Sequence, residues 1–410
     1  MTMKPRYEMP RYMARFRCIG PACEDTCCAW WGIGVDRRAY ERYRAIGDER
    51  ERRRILSKLT LKEEGDDRNY ASFELNPATG CCSMLGDDGL CTIQAKHGES
   101  MLCATCATYP RKVNDEGGTL EISAALSCPE AARLALLHED ACEFVAADEI
   151  STPNLSVNRP PAASRHMPHA RAIRGSIIRM LRMRRYVFPH RLILLGLMCE
   201  ELDRIAATGD PLAIPAFLDE FEAEVAGGLR DNPELRDYAA FPRDAEFRIR
   251  MLNGYLMRRM EGTIWNLRYQ RCVADYVNGM TKRGREPEQV IRHYAETSAA
   301  HVAPFIERHG HFFENYAVNQ VYGTFLPGLR SGHRVGTLYR MLAVDYAMIR
   351  LHLTGIAAHR GELTPETAVE LVQSYTKNYE HLPEYRVDFL LELAAEGRDA
   401  FGDILLLITD

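Results

Sequence analysis

The sequence predicts a mainly α protein in which a cysteine-rich, metal-binding N-terminal domain precedes an α-helical domain. Eleven of the thirteen cysteines lie in the first 142 of 410 residues. Beyond residue 168, apolar residues recur at three- and four-residue spacing, which is the period of amphipathic helices. Between these parts, residues 146–168 combine four prolines with small polar residues. We therefore predict a cysteine-rich domain over 1–145, a linker over 146–168 and a helical domain over 169–410.

The individual elements follow from local patterns. In the first domain the clearest helical stretch runs from Arg37 to Leu59, and there is little strand pattern beyond Thr119 to Ala125. Six helices are predicted in the second domain: His190 to Ala207, Ile214 to Ala226, Pro287 to His301, Val335 to Leu353, Pro365 to Asn378 and Glu384 to Glu396. Thr364 and Pro365 give the fifth of these an N-cap and a first-turn proline. The strand–helix alternation of a doubly wound fold is missing from this pattern.

The first residues carry Arg and Lys throughout and do not resemble a signal peptide. The apolar run from Leu192 to Cys199 has eight residues, whereas a membrane span needs roughly 20. We therefore expect a cytoplasmic protein with no membrane partner, in which thiols stay reduced and clustered cysteines bind metal rather than form disulfides. A net charge of −5 gives no basic excess for nucleic-acid binding.

The cysteines predict an iron–sulfur centre. The first 142 residues contain eleven cysteines and only two histidines, and an almost all-sulfur ligand set suits a cluster held by four thiolates. We predict one [4Fe–4S] cluster, with zinc bound by four cysteines as the alternative. The candidate ligands are Cys18, Cys23, Cys27, Cys28, Cys82, Cys91, Cys106 and Cys128. Side chains of adjacent residues diverge, so Cys27–Cys28 and Cys81–Cys82 are each expected to include one buried cysteine that is not a ligand.

Several segments resemble the flagellin lysine-N-methylase family. They are Cys18-Ile-Gly-Pro-Ala-Cys23-Glu-Asp-Thr-Cys27-Cys28, Gly-Leu-Cys91, Cys106-Ala-Thr-Tyr109-Pro110-Arg111, Cys128-Pro129-Glu130 and Glu314-Asn315-Tyr316-Ala-Val-Asn319. The N-terminal half is also similar to zinc- or iron-chelating cysteine-cluster proteins. The resemblance implies methyl transfer from S-adenosylmethionine to flagellin lysines, with a cysteine-bound iron–sulfur cluster.

Two familiar ways of using S-adenosylmethionine are not encoded. The near match to a glycine-rich cofactor turn, Gly32-Ile-Gly34, follows no strand pattern, and the radical motif C-x3-C-x2-C fails because Trp30 occupies its third position. The cofactor pocket is therefore expected to be of an unfamiliar kind. We place it between the cysteine domain and the helix that carries Asn315, Tyr316 and Asn319.

Candidate methyl-transfer residues concentrate in this helix. Tyr316 or Glu314 could accept the proton of the substrate lysine, and Asn315 and Asn319 could bind the cofactor, since they share one helix face. The alternative is that these residues have no catalytic role and belong to a packed aromatic helix with capping amides. Tyr379-Glu380-His381 offers a further acid–base group, or a surface turn before Pro383. Seven arginines between residues 171 and 191 could dock an acidic surface or pair with acids elsewhere in the fold.

Three function classes are compatible with these features. The first is a protein-lysine methyltransferase that acts on flagellin. The second is a metal-binding or electron-transfer protein without methyl transfer, and the third is a zinc-stabilised interaction protein. A helical body of some 240 residues argues against a mere electron carrier.

Overall fold

The computed structural model describes residues 6–29, 31–147, 154–159, 169–210, 212–228, 244–261, 266–284, 286–325, 332–379, 383–398 and 400–409. The chain folds into two compact units. The first comprises residues 1–134 and 143–159, and the second comprises residues 135–142 and 160–410. The predicted linker lies mostly outside the described residues. The prediction of a mainly α chain is confirmed.

The first unit combines short helices with short strands. Its helices are α1 (Arg11–Arg15), α2 (Arg37–Arg44), α3 (Glu49–Leu56), α4 (Thr92–His97), α5 (Ala104–Thr108) and α6 (Pro129–Leu136), the last of which ends in the second unit. Its strands are β1 (Arg6–Pro10), β2 (Gly34–Val35), β3 (Leu59–Leu61), β4 (Ala71–Phe73), β5 (Arg111–Glu116), β6 (Thr119–Ala124) and β7 (Phe144–Ala147). One sheet has the order β5-β6-β1-β7, with β1 and β6 parallel, and the other has the antiparallel order β2-β4-β3.

The expectation of little strand structure in this unit is wrong. The strands are two to six residues long, too short for an alternating pattern to stand out from the sequence. Their pairing also joins distant parts of the chain, as when Tyr7 of β1 lies opposite Leu120 of β6. The predicted helix from Arg37 to Leu59 is two helices and a strand, because Asp48 caps a new helix and accepts hydrogen bonds from the backbone N–H groups of Arg50 and Glu51.

The core of the first unit is built around sulfur as well as hydrocarbon. Tyr43, Ile55 and Phe73 pack with Cys82 and Cys103 in one buried cluster, and Cys28, Cys91 and Cys106 lie against it. Asp36 joins two helices of this cluster, since its Oδ1 accepts from the N–H of Ala39 and its Oδ2 from the N–H of Ala104. The N-terminus of α5, where the C-x2-C pair begins, is thereby held against α2.

The second unit is helical in all its described elements. They are α7 (Ala170–Leu181), α8 (Phe188–Thr208), α9 (Ala213–Gly227), α10 (Ala245–Glu261), α11 (Leu267–Met280), α12 (Pro287–Thr297), α13 (Ala303–Arg308), α14 (His311–Gln320), α15 (Val335–Arg360), α16 (Pro365–Tyr379), α17 (Pro383–Ala395) and α18 (Phe401–Ile408). Single π-turns cover Ser298–Val302 and Val321–Phe325. The expected cap of α16 is present, because Thr364 Oγ1 accepts from the N–H of Thr367 at 3.2 Å.

Helix α15 is the central helix of this unit. It is long and apolar enough to cross a membrane, and no other helix among the described residues is, but 94% of its most apolar window is buried in the unit. Its apolar surface is therefore covered by the other helices of the unit. It runs seven residues beyond the predicted end at Leu353, to Arg360.

Helices α11 and α15 cross at two glycines. A Cβ built on Gly279 would lie 1.9 Å from the carbonyl oxygen of Gly355, and one on Gly355 would lie 2.4 Å from Cδ2 of Tyr276. Both obstacles are backbone or ring atoms of the facing helix, so the helices must separate to admit a methyl group.

We therefore expect Gly279→Ala to destabilise the second unit by about 1–3 kcal/mol, despite the better helix propensity of alanine. Chemical denaturation followed by far-ultraviolet circular dichroism measures this. Gly254→Ala in α10 is the matched control, since the nearest atom to its Cβ is the flexible Arg258 side chain at 3.5 Å. A Gly279→Ala variant as stable as Gly254→Ala would show that the helices do not depend on this close approach.

Candidate functional site

Most of the predicted ligands line one cavity in the first unit. The cavity has a volume of about 720 Å³, and seven cysteines contribute to its wall. They are Cys18, Cys23, Cys27, Cys28, Cys91, Cys106 and Cys128. No disulfide joins any of the thirteen cysteines, all of which lie in the described ranges. Residues separated by more than 100 positions thus contribute sulfur to one chamber.

Short elements hold these cysteines in place. Cys23 ends a 3₁₀ turn (Gly20–Ala22), with its N–H bonded to the Gly20 carbonyl at 3.0 Å. Cys91 is the N-cap residue of α4, and Cys106 lies within α5. Cys128 directly precedes α6, where its carbonyl accepts from the N–H of Ala132. The Cys28 carbonyl accepts from the N–H of Cys82 at 2.7 Å, which ties the first cysteine segment to the second.

The two adjacent pairs differ in their surroundings. Both Cys27 and Cys28 reach the cavity, and their sulfurs are 4.0 Å apart. Cys82 is 5% exposed in the core cluster and does not line the cavity, whereas the Cys81 thiol donates to the Thr79 carbonyl. Cys103 is also buried in the core. As ligands, Cys82 and the other candidates remain predictions.

The possible metal ligands that line the cavity are seven cysteines and two carboxylates, without histidine. Among the described residues, no three Cys, His, Asp or Glu side chains converge closely enough to hold one metal ion. Around zinc, sulfur ligands at about 2.3 Å from the metal must all meet at one point. In an iron–sulfur cluster each thiolate binds a different iron, so the sulfurs surround a larger space. Whether iron or zinc occupies the cysteine cavity stays a prediction.

Three thiols in or beside this chamber, those of Cys28, Cys82 and Cys128, have raised pKa values. The hydrogen bond with Cys27 raises the pKa of Cys28, and burial raises it further. Burial also raises the pKa of Cys82 to about 11 and that of Cys128 to about 12. Metal ligation requires thiolates, so a bound cation would offset the cost of ionising these groups.

The residues predicted for methyl transfer lie in α14 of the second unit and are buried. Glu314 is 1% exposed, and both of its oxygens accept from guanidinium groups. Arg191 Nη1 lies 2.7 Å from Oε2, and Arg184 Nη2 lies 3.0 Å from Oε1. Asn315 Nδ2 donates to the His138 carbonyl at 2.8 Å. Asn319 is 2% exposed. The carboxylate of Glu314 is therefore engaged in ion pairs.

Tyr316 belongs to a buried network centred on Asp345 of α15. The Tyr316 hydroxyl donates to Asp345 Oδ2 at 3.1 Å, and the Tyr375 hydroxyl donates to Oδ1 at 2.8 Å. Arg386 Nη1 lies 2.9 Å from Oδ2, and the Asp345 side chain is 3% exposed. The Tyr375 ring stacks on Tyr379 with centroids 4.4 Å apart. A carboxylate, a guanidinium and two phenols thus share one desolvated site.

Sequence reasoning missed Asp345, Tyr375 and Arg386. Asp345 stands within the apolar run of α15, and a lone acid in a buried helix was the available signal. Glu380 and His381 of the predicted acid–base group lie outside the described residues.

The arginine-rich stretch pairs with its own unit. Arg179 bonds Glu222 at 2.7 Å, Arg184 bonds Glu314, and Arg174 donates to the Tyr322 carbonyl. For these three arginines, the contacts match the second of the two alternatives, in which the arginines pair with groups elsewhere in the fold.

Comparison with known proteins gives consistent matches. A family profile described as the FliB lysine N-methylase C-terminal domain matches residues 174–407, more than half of the chain. Proteins named lysine-N-methylase from Salmonella typhimurium (strain LT2) and Salmonella choleraesuis (strain SC-B67) are each 22% identical over 388 residues, 93% of both chains. The flagellar biosynthetic protein FliU of Salmonella muenchen is 30% identical over 132 residues, 32% of this chain and 78% of that protein. No solved structure matches.

Proposed function

Because the chain belongs to the FliB lysine N-methylase family, we propose that it is a protein-lysine methyltransferase that methylates flagellin lysines with S-adenosylmethionine as the donor. The observation that carries this proposal is the match to proteins named lysine-N-methylase over 93% of both chains. The name of the FliU relative supports a flagellar substrate. We place the reaction in the cytoplasm, before flagellin is exported.

The cysteine cavity is the proposed site of an iron–sulfur cluster. Seven cysteines line it, and their donor chemistry suits iron with sulfide. Four thiolates would hold the cluster. They would be drawn from Cys23, Cys27, Cys28, Cys82, Cys91, Cys106 and Cys128, with Cys18 as a further candidate; of these, Cys82 does not line the cavity. Such a cluster would tie distant segments of the first unit together and supply Lewis-acidic iron at the cavity wall. Zinc with four thiolates remains the alternative.

Methyl transfer requires a neutral substrate amine. A lysine ammonium has a pKa near 10.4 in water, so the enzyme must desolvate it and accept a proton. Tyr316 could accept this proton on its hydroxyl oxygen while its own proton passes to Asp345 Oδ2, 3.1 Å away. One N–H bond breaks and the carboxyl O–H bond forms, with the phenol unchanged overall. Glu314 is a poorer acceptor, because two arginines already bind its oxygens.

We expect Tyr316→Phe to lower the methylation rate by about a hundredfold, the lower range for loss of a general base, without changing the iron content. Asp345→Asn should have a similar effect if the proton passes through it. Tyr339→Phe in α15 is the control, since Tyr339 is equally buried but outside the Asp345 network. Equal rates in Tyr316→Phe and Tyr339→Phe would move the proton acceptor elsewhere.

The proposed function is tested with anaerobically purified protein, flagellin and methyl-labelled S-adenosylmethionine. Label should enter flagellin, and the protein should contain iron and acid-labile sulfide. Redox-active iron without label transfer would favour the electron-transfer class. Stoichiometric zinc without sulfide would contradict the cluster.

A further inference from the structure

Charged side chains of both signs line the cysteine cavity besides the thiols, and the acids among them are Asp25 and Glu99. Arg17 and Arg111 both line it. Within the described parts of the chain, the Arg111 side chain makes no hydrogen bond or ion pair, and its guanidinium lies over the Phe16 ring at 5.2 Å. Arg17 donates to the carbonyls of Phe16 and Ala14, at 2.7 and 3.4 Å, and binds no carboxylate among these residues.

The Arg111 side chain is half-buried, and this burial has an electrostatic cost. Burial lowers the pKa of Arg111, and the charge of the neighbouring Arg17 lowers it as well. The charge of Glu99 raises this pKa, although Glu99 forms no ion pair with Arg111 in the described structure. By contrast, Arg133 of the same unit pairs with both Glu24 and Glu130. A desolvated guanidinium without a bonded counterion is expected to bind an anion when one is offered.

The cavity also has room for a ligand beside the sulfurs. Its volume of about 720 Å³, which the proposed cluster would share, lies within the range of roughly 300–1,000 Å³ that small-molecule sites occupy. Met13, Phe16, Leu102 and Ile122 supply an apolar lining, and Ser127, Tyr109 and Gln94 supply hydrogen-bonding groups. An apolar chamber with a few polar groups, two arginines and two acids suits an organic zwitterion whose carboxylate lies against an arginine.

We propose that Arg111, assisted by Arg17, binds the carboxylate of an amino-acid-bearing small molecule inside the cysteine cavity. The inference rests on the proposed function, in which that molecule is the methyl donor. It assigns the donor's carboxylate to the first unit, whereas the sequence alone favoured Asn315 and Asn319 as cofactor contacts. Arg111 offers a planar fork of N–H donors that matches a carboxylate.

The test compares two ligands, one with the amino-acid group that carries the carboxylate and one without this group. S-adenosylhomocysteine carries the amino-acid group, and 5′-methylthioadenosine keeps the thioether nucleoside without it. Titration calorimetry with anaerobically purified full-length protein measures both affinities. Arg111→Gln should weaken binding of S-adenosylhomocysteine by roughly tenfold to a hundredfold, as expected for a lost charged hydrogen bond, and leave 5′-methylthioadenosine unchanged. Arg37→Gln is the matched control, since Arg37 lies over the Tyr70 ring outside the cavity lining.

Iron content is measured alongside affinity. If Arg111→Gln loses iron, Arg111→Lys keeps the positive charge near the thiolates and should still bind S-adenosylhomocysteine less tightly than the wild type. Equal affinity in all variants, equal loss for both ligands, or no binding by the wild type would overturn the subsite. Methyl transfer by Arg111→Gln at unchanged affinity would overturn the subsite alone. A selective loss of S-adenosylhomocysteine binding without any methyl transfer by the wild type would retain the subsite and reject the proposed function.

Discussion

Replacing Cys106 by serine is expected to remove the bound metal, unfold the first unit and abolish methylation. Cys106 lies in a five-residue helix that packs on the core through Cys103 and Ala107, and it also lines the cavity. Where thiolates from several short segments meet at one centre, metal binding is coupled to folding and contributes on the order of 10 kcal/mol. Iron analysis and circular dichroism of anaerobically purified protein measure the loss.

Cys272→Ser is the matched control for this prediction. Cys272 is buried in α11 of the second unit, and its sulfur accepts a hydrogen bond from Ser374. The Cys272→Ser variant should therefore keep its full iron content. In Cys106→Ser, and after chelation of the wild type, the helical signal of the second unit should persist. Unchanged thermal unfolding after complete removal of the metal would show that the first unit folds without it.

Glu314→Gln should destabilise the second unit by about 3–5 kcal/mol. The substitution leaves the Arg191 guanidinium, whose side chain is 5% exposed, without its carboxylate. Breaking one partner of a buried ion pair carries this cost because the remaining charge stays desolvated. Urea denaturation followed by the helical signal measures the free energy of unfolding.

The control separates this structural role from the predicted catalytic one. Arg184→Gln removes the other partner of Glu314, but the Arg184 side chain is 48% exposed, so its loss should cost about 1 kcal/mol or less. If Glu314 instead serves as the proton acceptor, Glu314→Gln would lose methylation while remaining as stable as Arg184→Gln. That result would contradict the structural assignment.

Helices with a long apolar period were predictable from the sequence. The predicted helix from His190 to Ala207 is observed as Phe188–Thr208, because eighteen or more residues carry the same periodicity. Strands such as Gly34–Val35 were not predictable, since two residues carry no period. The parallel pairing of β1 with β6 depends on tertiary contacts across more than 100 residues, which local patterns do not encode.

In the candidate site, too, features of composition were predictable from the sequence, and contacts between distant segments were not. Cysteine density predicted that several thiols would meet at one site, because density is a compositional feature, and seven cysteines do line one cavity. The metal that binds there stays a prediction. The arginine in the cavity lining was not predicted. Arg111, at the start of β5, meets Phe16, which follows α1, only in the folded unit. The Asp345 network likewise joins α14, α15, α16 and α17, four helices whose contacts no single window of sequence contains.

Methyl transfer to the side-chain nitrogen of flagellin lysines is tested most directly by locating labelled methyl groups in flagellin peptides. Anaerobically purified protein is incubated with flagellin and S-adenosylmethionine bearing an isotopically labelled methyl group, and tryptic peptides are sequenced by mass spectrometry. Labelled methyl groups on lysine Nζ, absent when Cys106→Ser replaces the wild type, are the predicted result. Iron-loaded wild-type protein that leaves every flagellin lysine unlabelled would contradict the account.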